Sequence, residues 1–409
     1  MSEWMIYEIE LQQPAIITAR TQYGQYIQCL DYIPGTTVRG AIAAFLEQMG
    51  ESEEKQREIW LGQNPCIIGP AYPKVRGVGG MSKPVPFSVW KCKRAAGMGR
   101  DDSVAEKPWE LPHHGYVDTV VGDLAPTQDA KALVRSGRCP FPSCNAPLER
   151  YAPGYYMRSE EYDTGQQRGR YEEGRARRRL RSHVGISRRR YASAQGILFA
   201  TEELLPGQQF RGLIRLGASE DIVGQRGRIG DIFIGSGRSR GYGKASFAIA
   251  ERTVLLGNEE AVRQRIEGLN SAIRKAGSVA AKERVFFTVT LLSHAVLLST
   301  DGRPQVGIHE FHLPEPLSRE ARLEHQYHRA AHIEGWNGLW RLPRPPTLAT
   351  AAGSVGVFSV CTKWWESNQQ AAVEALAAIE RNGLGEAVRE GWGLAEVAAH
   401  IHWESAPSV

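Results

Sequence analysis

Hydrophobic positions alternate between strand-like and helix-like spacing from the start of the chain. Residues 5–19 are rich in apolar and β-branched side chains typical of a strand, and Pro14 indicates an edge or a bulge. After a turn at Pro34-Gly35, a helical period fits the apolar residues Val38, Ile42, Phe45, Leu46 and Met49. The pattern therefore predicts a strand followed by a helix.

The rest of the first half is predicted as an irregular insertion followed by strands. From Leu61 to about Gly165, proline and glycine are frequent and no amphipathic period persists, so we expect an insertion that something must order. Beyond it, Ile197–Phe199 and Phe210–Leu216 favour strands that are joined by a Pro-Gly turn.

In each half the predicted order is strand, helix or insertion, strand, helix, glycine loop and strand. The pattern predicts a polar helix, two strands, an alanine-rich helix and a closing strand, at 259–275, 284–298, 355–361, 366–381 and 394–402. The chain is thus predicted to be α+β, with tandem ferredoxin-like (RRM-like) βαββαβ sheets. We expect a first domain at 1–250 with its insertion at 61–165, a connecting helix at 251–284 and a second domain at 285–409.

The composition is typical of a soluble, globular protein, and one stretch of the chain has a local excess of positive charge. The chain has 409 residues, 42% of them hydrophobic and 23% charged, and a net charge of +5. Between Gln166 and Arg190 lie ten arginines against only Glu172 and Glu173, which indicates a phosphate-rich partner. We expect a cytoplasmic protein, because no signal-like segment or long apolar run is present and the six cysteines are irregularly spaced.

Two glycine-rich stretches each precede a predicted strand. In GDIFIGSGRSRGYGKASF, five glycines from Gly230 to Gly243 alternate with Arg238, Arg240, Tyr242 and Lys244. Such a loop exposes backbone N–H groups to an anion while the cations supply charge, so we expect it to bind a polyanion. A shorter copy, GLGEAVREGWGLAEV, begins at Gly383. A tight connection without a ligand is the alternative for both loops, and it carries more weight for the second.

Further cationic candidates lie outside the first loop. Arg39 stands in the first turn of the predicted helix, where a cation is favourable only beside a bound anion. The run after the arginine-rich tract (residues 166–190) holds more candidates in alternation with apolar residues. Because no carboxylate or nucleophile is spaced with the histidine among them, a phosphate or base contact is favoured over general-base catalysis for Arg181, His183, Arg188 and Arg190.

The insertion contains a candidate zinc site. Cys139 and Cys144 flank two prolines in RCPFPSC, a spacing that turns two sulfurs toward one point. Cys92 and His114 would complete a closed, structural tetrahedral site. Spacing does not separate His114 from the adjacent His113, and buried thiols without metal are the alternative.

Three blocks in this order, together with the C-terminal glycine block, resemble the signature of the CRISPR-associated RAMP superfamily. They are IPGTTVRGAIAAFL, HVGISRRRYASAQGILFATEEL and IGSGRSRGYGKASF. With the cysteine-bearing insertion between the first two blocks, the chain is similar to the RAMP subunit of type III-D effector complexes. The resemblance implies a subunit that binds CRISPR RNA, caps its 5′ handle and contacts target RNA, the large polymerase-like subunit and backbone RAMP subunits. The RNA contacts that it implies are Arg39, His183, Arg188, Arg190, Arg238, Arg240, Tyr242 and Lys244.

The resemblance leaves one catalytic alternative open. Backbone subunits of the superfamily cleave target RNA with an aspartate before the first helix, and Asp31 lies near that place in CLDYIPG. The capping subunits are not expected to cleave. We therefore expect a non-catalytic subunit, with a metal-dependent endoribonuclease that uses Asp31 as the alternative.

Overall fold

The computed structural model describes most of the chain as a mixed α/β protein with several antiparallel sheets. The described residues are 3–19, 25–75, 79–94, 116–125, 137–139, 144, 146–151, 153–159, 170–187, 192–220, 223, 228–251, 256–337 and 342–404. Within them, no helix is both long enough and apolar enough to cross a membrane.

The first large sheet is antiparallel and has five strands. From edge to edge these are β13 (Arg228–Phe233), β14 (Lys244–Glu251), β1 (Met5–Leu11), β12 (Gln209–Arg215) and β3 (Ile67–Pro73). Two helices, α1 (Gly35–Gln48) and α2 (Glu53–Leu61), precede β3 in the chain. The predicted helical period is correct, because α1 buries Val38, Ile42 and Leu46 in the same core as the sheet.

The second large sheet is antiparallel and has four strands, in the order β18 (Arg322–Tyr327), β23 (Val355–Cys361), β15 (Arg284–Leu291) and β24 (Ala395–Val397). Its core includes α4 (Glu259–Lys275) and α6 (Thr362–Asn382). Two shorter helices are α5 (Leu317–Glu320) and α7 (Ile401–Glu404).

Both large sheets share one strand order. When β13 is left out of the count, the first strand along the chain lies in each sheet between the third and the fourth, and the second strand forms an edge beside the third. β13 is an additional edge strand in the first sheet. An apolar cluster joins the two halves and consists of Trp4, Ile6, Ile67, Leu213, Leu292 and Leu394.

A long hairpin extends from the first half. It consists of β10 (Arg178–Ser187) and β11 (Ala192–Leu204), and β2 (Tyr26–Ile27) pairs with β11. Three smaller pairs, in the second half, are β16 (Leu297–Leu298) with β17 (Pro304–Gln305), β19 (Ala330–Ile333) with β22 (Thr347–Thr350), and β20 (Trp336–Asn337) with β21 (Leu342–Pro343).

Beyond β3, strands of the insertion form two small sheets, one of which also includes β9 from the arginine-rich tract. One contains β4 (Lys83–Pro84), β8 (Tyr155–Ser159) and β9 (Arg170–Gly174), and the other contains β6 (Tyr116–Asp118), β5 (Val89–Cys92) and β7 (Leu148–Arg150). A short helix, α3 (Val120–Leu124), follows β6. These elements bind the C-terminal segment: Lys83 pairs with Glu396 at 2.7 Å, and the Arg158 guanidinium donates to both carboxylate oxygens of Glu404.

Two element predictions are corrected by the structure. The irregular stretch was expected to begin at Leu61, but β3, with the sequence IIGPAYP, is a fully buried strand of the first large sheet. The predicted closing strand at 394–402 is only the short β24 followed by α7. The helix at 259–275 has the predicted bounds, and it packs into the second core through Val262, Ile266 and Leu269.

Candidate nucleic-acid interface and metal site

The two glycine-rich stretches form loops with matching backbones. The first loop, residues 235–243, and the second loop, residues 385–393, each enclose one short 3-10 turn between two left-handed residues. The positive φ angles of the first are 73°, 78°, 83° and 83°, at Gly235, Gly237, Gly241 and Gly243. Those of the second are 79°, 57°, 86° and 73°, at Gly385, Ala387, Gly391 and Gly393.

The hydrogen bonds of the two loops also match. The Ser236 N–H donates to the Ile16 carbonyl at 3.0 Å, and the Glu386 N–H donates to the Val296 carbonyl at 2.8 Å. At the ends of the loops, the Ile234 N–H donates to the Gly243 carbonyl as the Leu384 N–H donates to the Gly393 carbonyl. The two halves therefore place equivalent loops beside the segments that follow their first strands, β1 and β15.

The first loop is joined to the hairpin on one face. Strand register puts Arg179, Arg181 and His183 on that face, because alternate residues of a strand share a side. The Arg181 guanidinium donates to the Tyr242 hydroxyl at 3.2 Å. The His183 ring stacks on Phe199 with 4.8 Å between centroids. We give the name cationic face to the exposed or half-buried basic residues of this hairpin side and of the first loop with its end, which are Arg181, His183, Arg238, Arg240 and Lys244.

The cations of the cationic face differ in how far they are engaged. Arg238 and Arg240 are exposed on the 3-10 turn of the first loop. Lys244 lies just beyond the loop, and its ammonium pairs with Asp231 at 2.9 Å. Both arginines are thus exposed, although the Arg238 Nε donates to the Gly235 carbonyl at 3.4 Å, whereas the Lys244 ammonium is engaged by a carboxylate.

Two predicted RNA contacts are engaged by other parts of the protein. The ring of Tyr242 is only 7% exposed, so it supports Arg181 and offers no open surface for base stacking. The Arg39 guanidinium lies over the Trp60 ring and donates to the carbonyls of Trp60 and Arg389, each at 3.3 Å. Burial lowers the pKa of Arg39. Arg39 thus joins the two halves of the chain.

Arg188 and Arg190, two predicted RNA contacts that follow β10 in the sequence, lie outside the described residues. The opposite side of the hairpin is apolar and exposed. It carries Leu180, Val184, Ile186 and Leu198, with Tyr26 on the neighbouring strand. The sequence showed this alternation at Val184 and Ile186 but did not show that both strands contribute to one apolar face.

Three predicted metal ligands converge in the insertion. The sulfurs of Cys92, Cys139 and Cys144 lie within 4.8 Å of one another, and all three residues are buried. The Cys92 and Cys144 sulfurs are 3.5 Å apart, close to the roughly 3.8 Å between two thiolates on one tetrahedral zinc. The donor set therefore fits a thiophilic metal. His114 and its alternative His113 lie outside the described residues.

Asp31 is held by the insertion. Its Oδ1 accepts a hydrogen bond from the Tyr155 hydroxyl at 2.7 Å, and the residue is half-buried. Within the described part of the chain, the cysteine triad is the one group of three potential metal ligands, and Asp31 does not belong to such a group.

An aromatic cluster beside Asp31 was not predicted. The Tyr32 ring meets Tyr72 and His294, and Tyr72 stacks on Tyr155 at 4.8 Å. Burial lowers the pKa of His294 to about 4. The His294 ring also stacks on Trp392 of the second loop, so the cluster lies where the two halves meet. The sequence held one signal for this cluster. Trp392 occupies the position in the second loop that Tyr242 occupies in the first.

Comparison with known proteins gives one family match and several structural matches. No curated protein matches the chain. Two similar solved chains come from a type III-B Cmr-beta complex bound to cognate target RNA, both at 11% identity. One, also bound to AMPPnP, has a TM-score of 0.43 over 89% of this chain and 88% of that one, and the other has 0.42 over 93% and 96%. The family model described as the RAMP superfamily matches residues 27–246, more than half of the chain, and the protein therefore belongs to the RAMP superfamily.

Proposed function

We propose that the chain is a non-catalytic CRISPR RNA-binding subunit of a type III effector ribonucleoprotein, acting in the cytoplasm. Its two large sheets are tandem ferredoxin-like modules, since each has the strand order of a βαββαβ unit. The first spans residues 1–250 and carries the insertion and the hairpin, and the second spans 285–409. The helix α4 connects them in the chain and packs on the second.

The cationic face carries this proposal. Arg181 on the hairpin and Arg238 and Arg240 on the first loop are exposed, and the hydrogen bond from Arg181 to Tyr242 joins the hairpin to the loop. Guanidinium groups neutralise phosphates without selecting a base, which suits a subunit that must accept guides of many sequences. The His183–Phe199 stack adds a partly exposed aromatic surface, and aromatic rings of this kind stack unpaired RNA bases.

Within the complex we place the chain at the 5′ handle of the guide, as in type III-D assemblies. There it would contact the large polymerase-like subunit, a backbone RAMP subunit and the paired target RNA. Asp31 then has a structural role, because its carboxylate already accepts from Tyr155. Catalysis by Asp31 is the alternative.

RNA that accompanies the protein tests this function. We expect the chain, purified with its complex, to carry RNAs that share one 5′ sequence and differ beyond it. Ultraviolet cross-linking should join the cationic face to nucleotides of that shared sequence. RNAs without a common 5′ sequence, or cross-links confined to the 3′ end, would contradict the placement.

The insertion completes the proposal with one structural zinc. Cys92, Cys139 and Cys144 would hold it together with His114 or His113. A closed four-ligand site of this kind supplies no open position for chemistry and orders the segment around it.

A further inference from the structure

We propose that the first loop is a docking surface for the sheet edge of a second RAMP-type subunit. The proposal rests on the proposed place of the chain in an effector complex, and it names the surface through which a protein neighbour is held. The evidence is that this chain already uses its equivalent second loop in that way.

Within the chain, the second loop docks on the edge strand β3 of the first sheet. A Cβ atom on Gly391 would lie 2.0 Å from the Ile68 carbonyl oxygen, so only a glycine permits this approach. Beside it, a Cβ on Gly69 would meet the Leu394 side chain at 2.5 Å. The carbonyl of Arg389, on the 3-10 turn, accepts from Arg39. The backbone of the second loop therefore packs directly against the backbone of β3, and Arg39 binds the loop at the edge of this contact.

The first loop presents the same backbone without such a partner. Gly241 is the counterpart of Gly391 and has nearly the same φ, 83° against 86°. Yet among the described residues no atom lies within 4 Å of a Cβ built on Gly241. Ser239, the counterpart of Arg389, is exposed. Among the residues that the structure describes, the surface that seats β3 in one half is thus open in the other.

Docking at this surface is compatible with RNA binding. In the second loop the side chain of Arg389 remains exposed although its carbonyl is bonded across the contact. Arg238 and Arg240 can likewise keep their side chains exposed to phosphate while the backbone at Ser239 and Gly241 meets protein. The expected occupant is a sheet-edge strand with a small residue facing Gly241 and an arginine or lysine that reaches the Ser239 carbonyl.

Site-specific cross-linking in the assembled complex tests the contact. The photoreactive residue p-benzoylphenylalanine would replace Ser239, with exposed Arg274 as the control position. We expect irradiation to join Ser239→Bpa to an edge-strand peptide of another RAMP-type subunit, identified by mass spectrometry. Cross-links only to RNA, only to another kind of subunit, or to nothing would overturn the proposal.

A pair of glycine variants gives an independent measurement. Gly241→Asn and Gly207→Asn both change an open glycine with positive φ, 83° and 71°, and asparagine tolerates this conformation better than most residues. We expect Gly241→Asn to reduce co-purification of the neighbouring RAMP subunit at least tenfold, and Gly207→Asn to leave it unchanged. Equal retention of the neighbour would overturn the proposal even if RNA binding behaves as expected, and if Gly241→Asn does not fold, the Ser239 cross-link decides.

Discussion

His294 should make the junction between the two halves sensitive to acid. Its Nδ1 accepts from the Ala352 N–H at 2.9 Å, so the neutral ring carries its proton on Nε2 and donates to the Tyr32 hydroxyl at 3.4 Å. Protonation would place a second N–H against the Ala352 N–H in a buried site. Accordingly, burial lowers the pKa of His294 to about 4 from a usual value of 6.5.

The sign and size of the effect follow from this pKa. Between pH 6.5 and 4 the unfolded chain binds a proton that folded His294 excludes, so the free energy of unfolding must fall as the pH falls through this window. From pH 7.5 to 5 the loss due to His294 is about 2 kcal/mol. Below pH 4 it levels off at about 3 kcal/mol.

The test is urea unfolding at pH 7.5 and 5 for wild type, His294→Gln and the exposed control His332→Gln. Glutamine can accept from Ala352 but does not titrate. We expect His294→Gln to lose about 2 kcal/mol less than wild type on acidification, and His332→Gln to behave as wild type. Equal losses of unfolding free energy in all three proteins would refute the assignment of this effect to His294. Burial also lowers the pKa of His400, but this contribution is the same in all three proteins and cancels in the comparison.

Three further predictions concern burial, metal and catalysis. Arg265 and Glu380 form a buried ion pair, so Arg265→Met should reduce the free energy of unfolding by about 3–5 kcal/mol. Adding Glu380→Gln removes the unpaired charge but keeps an acceptor oxygen for the buried N–H groups of Gly257 and Val397, so it should restore part of the loss in denaturant titrations. A double variant as unstable as the single would contradict this. Elemental analysis should find about one zinc per chain, and Cys139→Ser/Cys144→Ser should abolish it; zinc retained by that variant would exclude the site. Asp31→Ala should leave target-RNA cleavage by the assembled complex unchanged, and loss of one cleavage product with assembly intact would make Asp31 catalytic.

Local chemistry made much of the fold predictable. The helix at 259–275 follows an Asn258 cap whose side chain accepts from the Ala261 N–H, and its apolar face is regular. The strand β3 was missed because IIGPAYP contains proline and glycine and, being buried on both sides, shows no alternation.

The site residues were most predictable where they lie close together in the sequence. Cys139 and Cys144 are close in sequence, and their convergence with Cys92 was correctly expected. The roles of Arg39 and Tyr242 were not, because a sequence shows the charge or ring but not the carbonyl or arginine that engages it across the fold. The docking of the second loop on β3 is likewise a long-range contact with no local signal.

RNA titration at several salt concentrations tests the central claim most directly. The triple variant Arg181→Ala/Arg238→Ala/Arg240→Ala removes three cations from the cationic face. Arg274→Ala/Lys275→Ala/Arg303→Ala removes the same charge from exposed positions in the second half of the chain. We predict that the first variant binds single-stranded RNA more weakly whatever its sequence and lowers the salt slope by about 2, or about 0.7 per phosphate contact, while the control retains the wild-type slope. An unchanged affinity and slope in the folded first variant would show that RNA does not bind at the cationic face.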